Sequence, residues 1–181
     1  MAAPAGTVGP VPPYTARPGE AVRVFRNDDG SFAIGCGRIR IATADQDMAF
    51  VSAVAAELGK LAHSPAGQGA LNRGDMLGHP VFIEKPKTPS NPPNAWALPD
   101  DVAAATAAGV AFRSGDGRTI NGTGAGCGST IAFDPSDWPE NGDGAAPARA
   151  DILLAMIEQA NANAAGKSNP SLPDWGIPLR R

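Results

Sequence analysis

The stretch DILLAMIEQANANAAGK, Asp151 to Lys167, carries the clearest helical pattern in the chain. Ile152, Leu153, Met156, Ile157 and Ala160 recur at three- and four-residue spacing and make one apolar face. Gly166 supplies a stop. SNPSLPDWGIP beyond it cannot continue a helix, because prolines remove backbone donors and push their predecessors to extended geometry. The pattern predicts a helix over roughly 147 to 165. Ala155 and Gln159 lie four residues apart and share one stripe of it. Side chains in that relation can converge on one ligand. The question is whether this stripe is a reactive site or one side of a core helix.

Outward from this helix the chain reads as segregated strands and helices. AVRVF alternates, NDDG is a turn and SFAIG resumes, so Val22–Phe25 and Phe32–Ile34 are expected as a hairpin. RIRIA, Arg38–Ala42, follows as a third strand, with GCG as the tight connection. Met48, Val51, Val54, Ala55, Leu58, Leu61 and Ala62 then mark an amphipathic helix, capped by Thr43 or Asp45. SPAGQGALNRGDMLGH is expected to hold at most a short helical turn, and Val81–Lys85 a strand. TPSNPPNAWALPDD is expected to be irregular because of its prolines. DVAAATAAG reads as a short helix or a loop, and GVAFRSGDGRTI as a hairpin turning at SGDG. NGTGAGCG reads as a flexible glycine loop feeding the strand Ser129–Phe133, and SDWPENGDGAAPARA as a surface loop. The order predicts an α+β domain, a small mixed or antiparallel sheet packed against two main helices. Residues 1–20, rich in Pro, Gly and Ala, read as a flexible leader before a single domain over 21–181.

Composition narrows the function classes. Gly (22) and Pro (18) together exceed a fifth of the 181 residues, against a usual share of about 12%, so much of the chain is turns. Fifteen Lys and Arg against eighteen Asp and Glu give a net charge of -3, too mild and mixed to imply a nucleic-acid partner. No apolar run approaches the roughly 18 residues of a membrane span, so a soluble chain without membrane insertion is expected. The start, MAAPAGTVGPVPPYTARPGE, has neither a basic nor an apolar signal region. Cytoplasmic synthesis is expected, with export through a specialised secretion system open.

Reactive groups are few. GTGAGCG precedes a strand and lacks a following Lys-Ser/Thr, whereas a phosphate loop opens a helix, so a nucleotide site is not indicated. Cys36 and Cys127 each stand between glycines and read as two ordinary thiols or one disulfide. Cys127 is also a candidate nucleophile, with His79 or His63 as its base. The two histidines are sixteen residues apart with no His-x-x-x-His pair, so no metal site is expected from them.

The strings STIAFDP, ADILL and AGK carry a resemblance. Together with the preceding glycine loop, they resemble the small zincin domains of secreted bacterial effector metallopeptidases, the NleD-like family. That family shows a glycine/serine-rich loop, a strand ending in Asn/Asp-Pro, and a helix carrying H-E-x-x-H. The hairpin, long helix, PVFIEKP strand and NPPNAWALP loop follow the same order, so the resemblance spans about residues 22 to 167. In that motif two histidines bind zinc, and the glutamate activates the metal-bound water. Carried over residue by residue, the histidines fall on Ala155 and Gln159 and the glutamate on Met156. The resemblance thus implies a zincin-like pseudoenzyme without metal or other cofactor and without zinc peptidase activity. It would bind a protein partner in a groove holding Glu158, Ser129 and Thr130. Two alternatives stand beside it: a hydrolase or transferase using Cys127, and an unrelated interaction or structural domain. Trp96, Trp138 and Trp175, all in Pro-rich segments, would serve the last if exposed together.

Overall fold

The computed structural model describes residues 24–26, 32–34, 38–43, 47–87, 93–114, 116–144 and 146–168. The 1–20 leader, Cys36, Asp45 and Trp175 lie outside them. The fold is α+β. Its elements run β1 (Val24–Arg26), β2 (Phe32–Ile34), β3 (Ile39–Ala42), α1 (Met48–Ala62), α2 (Pro65–Leu77), β4 (Val81–Glu84) and β5 (Trp96–Pro99). After them come α3 (Val102–Ala105), β6 (Ala111–Arg113), β7 (Thr119–Asn121), β8 (Ser129–Ala132), a 3-10 turn at Pro135–Asp137, and α4 (Arg149–Ala164). A six-stranded sheet has the order β1-β2-β3-β4-β8-β5, and β6–β7 form a separate hairpin. β3, β4 and β8 are mutually parallel, while β1, β2 and β5 are antiparallel to their neighbours. The sheet is therefore mixed, as the sequence allowed.

Register fixes the two faces. Ile39 aligns with Val81 and Ser129, and Ile41 with Ile83, Ile131 and Ala97. These residues are buried, and the apolar ones among them form one core with Val51, Val54 and Leu58 of α1 and Leu153, Met156 and Ile157 of α4. Their neighbours Arg40, Phe82, Thr130 and Leu98 point to the other face, as strand alternation requires. There the Arg40 guanidinium lies over the Phe82 ring at 5.7 Å. Helices thus cover one face, and α2 packs against both α1 and α4.

Helix α2 corrects the expectation of a short turn. Its ends follow the usual rules: Ser64 accepts from the Gly67 N–H at 3.1 Å, Pro65 opens the first turn, and Gly78 closes it at φ 73°. Three internal glycines and an asparagine hid it, since each lowers helix propensity. Tertiary packing overrides that cost. A Cβ on Gly67 would stand 2.2 Å from the Leu61 carbonyl oxygen, and one on Gly74 would meet the Arg38 guanidinium. These glycines bring α2 onto α1 and onto the half-buried Arg38.

Other details shift as well. Asp47, not Thr43 or Asp45, caps α1, accepting from the Phe50 N–H at 3.0 Å, while Thr43 receives the Asp47 N–H. Met48, expected on the apolar face, is 53% exposed. Strand β5 lies inside the segment expected to be irregular. The Asp100 N–H bonds the Gly128 carbonyl across the β5–β8 ladder. By antiparallel alternation Leu98 and Trp96 use their backbone groups toward β8, and Ala97 and Pro99 point theirs outward. Pro99 lacks its N–H only where β8 does not need it, as edge strands permit.

On helix propensity alone, Gly67→Ala would stabilise α2 by about 1 kcal/mol. The contact with Leu61 predicts the reverse, a loss of roughly 1–3 kcal/mol as overpacking. Urea unfolding of the two proteins measures the sign.

Candidate functional site

Helix α4 begins without a side-chain cap at Ala148 and ends in a Schellman turn. Gly166, at φ 60°, donates to Asn163 C=O, and Lys167 N–H reaches Ala162 C=O at 3.0 Å. The helix packs against β5, β8 and α2. Its core face holds Ile152, Leu153, Met156, Ile157 and Ala160, as the spacing predicted.

The stripe of Ala155 and Gln159 runs beside that face. Ala155 is half-buried against the core. Gln159 is half-buried, and its amide nitrogen donates to Asn163 Oδ1 at 3.1 Å and Ser168 Oγ at 3.3 Å. Met156 has no exposed surface and belongs to the core. A zinc site of the H-E-x-x-H kind therefore does not fit here. One ligand position is a methyl, the second is an amide turned into an internal network, and the position for the base is a packed thioether. Among the described residues no three His, Cys, Asp or Glu side chains come together as a metal group.

Asn163 organises this flank. It is fully buried, and its amide nitrogen donates to Ser129 Oγ at 3.0 Å. Its Oδ1 also accepts from Ser168 Oγ at 2.5 Å, and its backbone carbonyl accepts the Cys127 N–H at 3.2 Å. Ser168 in turn donates its N–H to Ala105 C=O and accepts from Ala107 N–H. One asparagine thus ties α4 to the start of β8, the glycine loop and the segment after α3. Each of its side-chain polar atoms has a partner, as burial demands.

The glycine loop is packed, not loose. A Cβ on Gly126, at φ 78°, would stand 2.0 Å from the Ala164 carbonyl oxygen, so only glycine lets the loop seal the end of α4. Cys127 is a buried free thiol that donates to Asp101 C=O at 3.3 Å. His79 Nε2 lies against the Gly126 backbone, beside Cys127 in sequence. His63 is remote in role, with Nδ1 at 2.7 Å from Gly59 C=O at the end of α1. Cys127 and His79 therefore share a neighbourhood, with the thiol turned to the Asp101 carbonyl.

The remaining candidates do not meet in one groove. Glu158 pairs with Arg73 of α2 on the other flank of α4. Ser129 is buried under Asn163, and Thr130 faces the opposite side of the sheet. Trp138 is buried in the core, and Trp96 is half-buried within β5, so these two indoles do not make an exposed cluster. Asp134, which ends the β8 stretch, accepts from Ser136 N–H and Oγ and pairs with Lys85 at 3.4 Å. Burial alone would raise its carboxyl, but the Ser136 hydrogen bonds and Lys85 outweigh that and hold it below the ordinary value.

Sequence reasoning missed Arg38, Asn161 and Asn163. The two asparagines were visible as poor helix formers in a strong helix, which is the available signal that a side chain is engaged.

The chain matches no family model, no curated protein and no solved structure.

Met156, onto which the resemblance would carry a glutamate, is core. Met156→Glu is expected to cost at least ~3 kcal/mol, since it buries an unpaired carboxyl. Ala155→Glu, on the half-exposed stripe, is expected to cost no more than ~1 kcal/mol. Denaturant titration of both variants checks the difference.

Proposed function

We propose that this chain is a zincin-like pseudo-peptidase that binds an extended protein segment without cleaving it, as part of a secreted bacterial effector. The observation that carries the reading is the setting of α4. A glycine loop leads into β8, an Asp-Pro step follows it, and α4 then lies along β8 and the antiparallel edge strand β5. The order of glycine loop, strand, Asp-Pro step and helix is what the resemblance to that family rests on, and the three residues that would serve on its zinc helix are Ala155, Met156 and Gln159.

The edge suits a guest strand. Among the described residues β5 pairs only with β8. Ala97 directs an N–H and a C=O away from that ladder, and Pro99 directs a C=O. Leu98, 47% exposed, offers an apolar neighbour on the outer face of the sheet. An added strand would take its main-chain hydrogen bonds from Ala97 and its side-chain preference from Leu98 and Trp96. With neither a metal ligand nor a base on the stripe, binding leads to no hydrolysis.

The test is a random nonapeptide display selection against the chain, followed by the variant Ala97→Pro. This change removes an N–H that β8 does not use. Enriched peptides are expected to lose about tenfold in affinity for the variant, the worth of one net hydrogen bond of ~1.4 kcal/mol. No enrichment, or equal binding by Ala97→Pro, overturns the edge as the binding site.

A further inference from the structure

The chain holds two Asn-Gly steps, Asn121–Gly122 and Asn141–Gly142. In such a step the glycine's backbone nitrogen can reach the asparagine Cγ, because no Cβ hinders its approach. Both asparagines are exposed, so exposure does not separate the two steps. The glycine nitrogens do. Gly122 donates its N–H to Val110 C=O at 2.8 Å, and a Cβ there would stand 2.2 Å from the Ala107 carbonyl oxygen. That step is clamped at the end of β7. Asn141 and Gly142 lie in the exposed loop before α4, and among the described residues neither takes part in a backbone hydrogen bond. Bonds hold the loop on either side of them. Arg149 donates its N–H to Pro139 C=O and its Nε to Trp138 C=O, and Asp143 N–H reaches Ala146 C=O.

We propose that Asn141 is a self-modification site, where the chain converts its own asparagine to aspartyl and isoaspartyl residues while the fold protects Asn121. The Gly142 nitrogen, once it has lost its proton, attacks Asn141 Cγ. The new N–C bond closes a cyclic imide, and the side-chain nitrogen takes up a proton and leaves as ammonia. Water then opens the imide at one of its two carbonyls. Cleavage of the new bond gives aspartate, and cleavage of the original peptide bond gives isoaspartate, with the backbone rerouted through Cγ. Either product carries a carboxylate where an amide stood, so the net charge falls one unit below -3. A Cβ on Gly142 would lie 3.5 Å from the Ala148 nitrogen, so the new charge arises near the start of α4, which no side chain caps. A helix N-terminus favours an anion, so the fold does not oppose the product.

Peptide mapping by mass spectrometry tests this on the full chain, held at mildly alkaline pH for increasing times. Position 141 is expected to convert about tenfold faster than position 121, the factor that one net hydrogen bond on Gly122 corresponds to. In urea, where the Gly122–Val110 bond is lost, the two rates are expected to converge. In water labelled with heavy oxygen, each product should carry one solvent oxygen. An intact Asn141, or one that converts no faster than Asn121 in the folded chain, overturns the proposal. So does aspartate at 141 without isoaspartate, because a cyclic imide opens to both.

Discussion

The layers of this protein meet on one half-buried guanidinium. Arg38 stands just before β3. Its side chain donates to His79 C=O at 3.0 Å and to Asn161 Oδ1 of α4, while its backbone N–H meets Asp75 of α2 and its carbonyl receives Val81 N–H of β4. Burial pushes Arg38 below its ordinary value and the charge of Asp75 opposes that. Gly74 has no side chain because the guanidinium occupies that space. Asn161 completes the link by donating to Ala70 C=O of α2 at 2.9 Å. These contacts tie α2 and α4 to the first parallel strand pair.

With α4 so anchored, its remaining faces acquire separate roles. The face toward the sheet is core. The Asn163 flank is sealed by the glycine loop and Ser168, which consumes the polar groups that a ligand site would need. The Glu158 flank opens toward α2. The helix acts as a structural beam, and under the proposed peptidase-like reading the methyl of Ala155 and the inward amide of Gln159 stand where ligands would. Among the described residues, backbone at the outer edge of β5 and exposed apolar side chains at Met48, Leu98 and Met76 remain available for recognition.

Much of this was legible from local pattern. The α4 face, the Gly166 stop, the β1–β2 hairpin, β4 and the SGDG hairpin all rest on periodicity or turn chemistry, which act within a few residues. The failures share a cause. Helix α2 looked like a loop because its glycines serve contacts with Leu61 and Arg38, distant or unforeseen partners. Strand β5 looked irregular because a proline is excluded from strands in general but not from the outward positions of an edge. The site suffered likewise: the spacing placed Ala155 and Gln159 on one stripe, yet could not show that Glu158 turns to Arg73 or that Ser129 is buried beneath Asn163. Those facts depend on which elements become neighbours.

The proposed function has α4 in the place of a peptidase helix without its chemistry. The most direct measurement is the zinc content of the purified full chain after equilibration with excess zinc and desalting. The account predicts no stoichiometric metal, because none of Ala155, Met156 and Gln159 offers a ligand. One tightly held zinc per chain would contradict it.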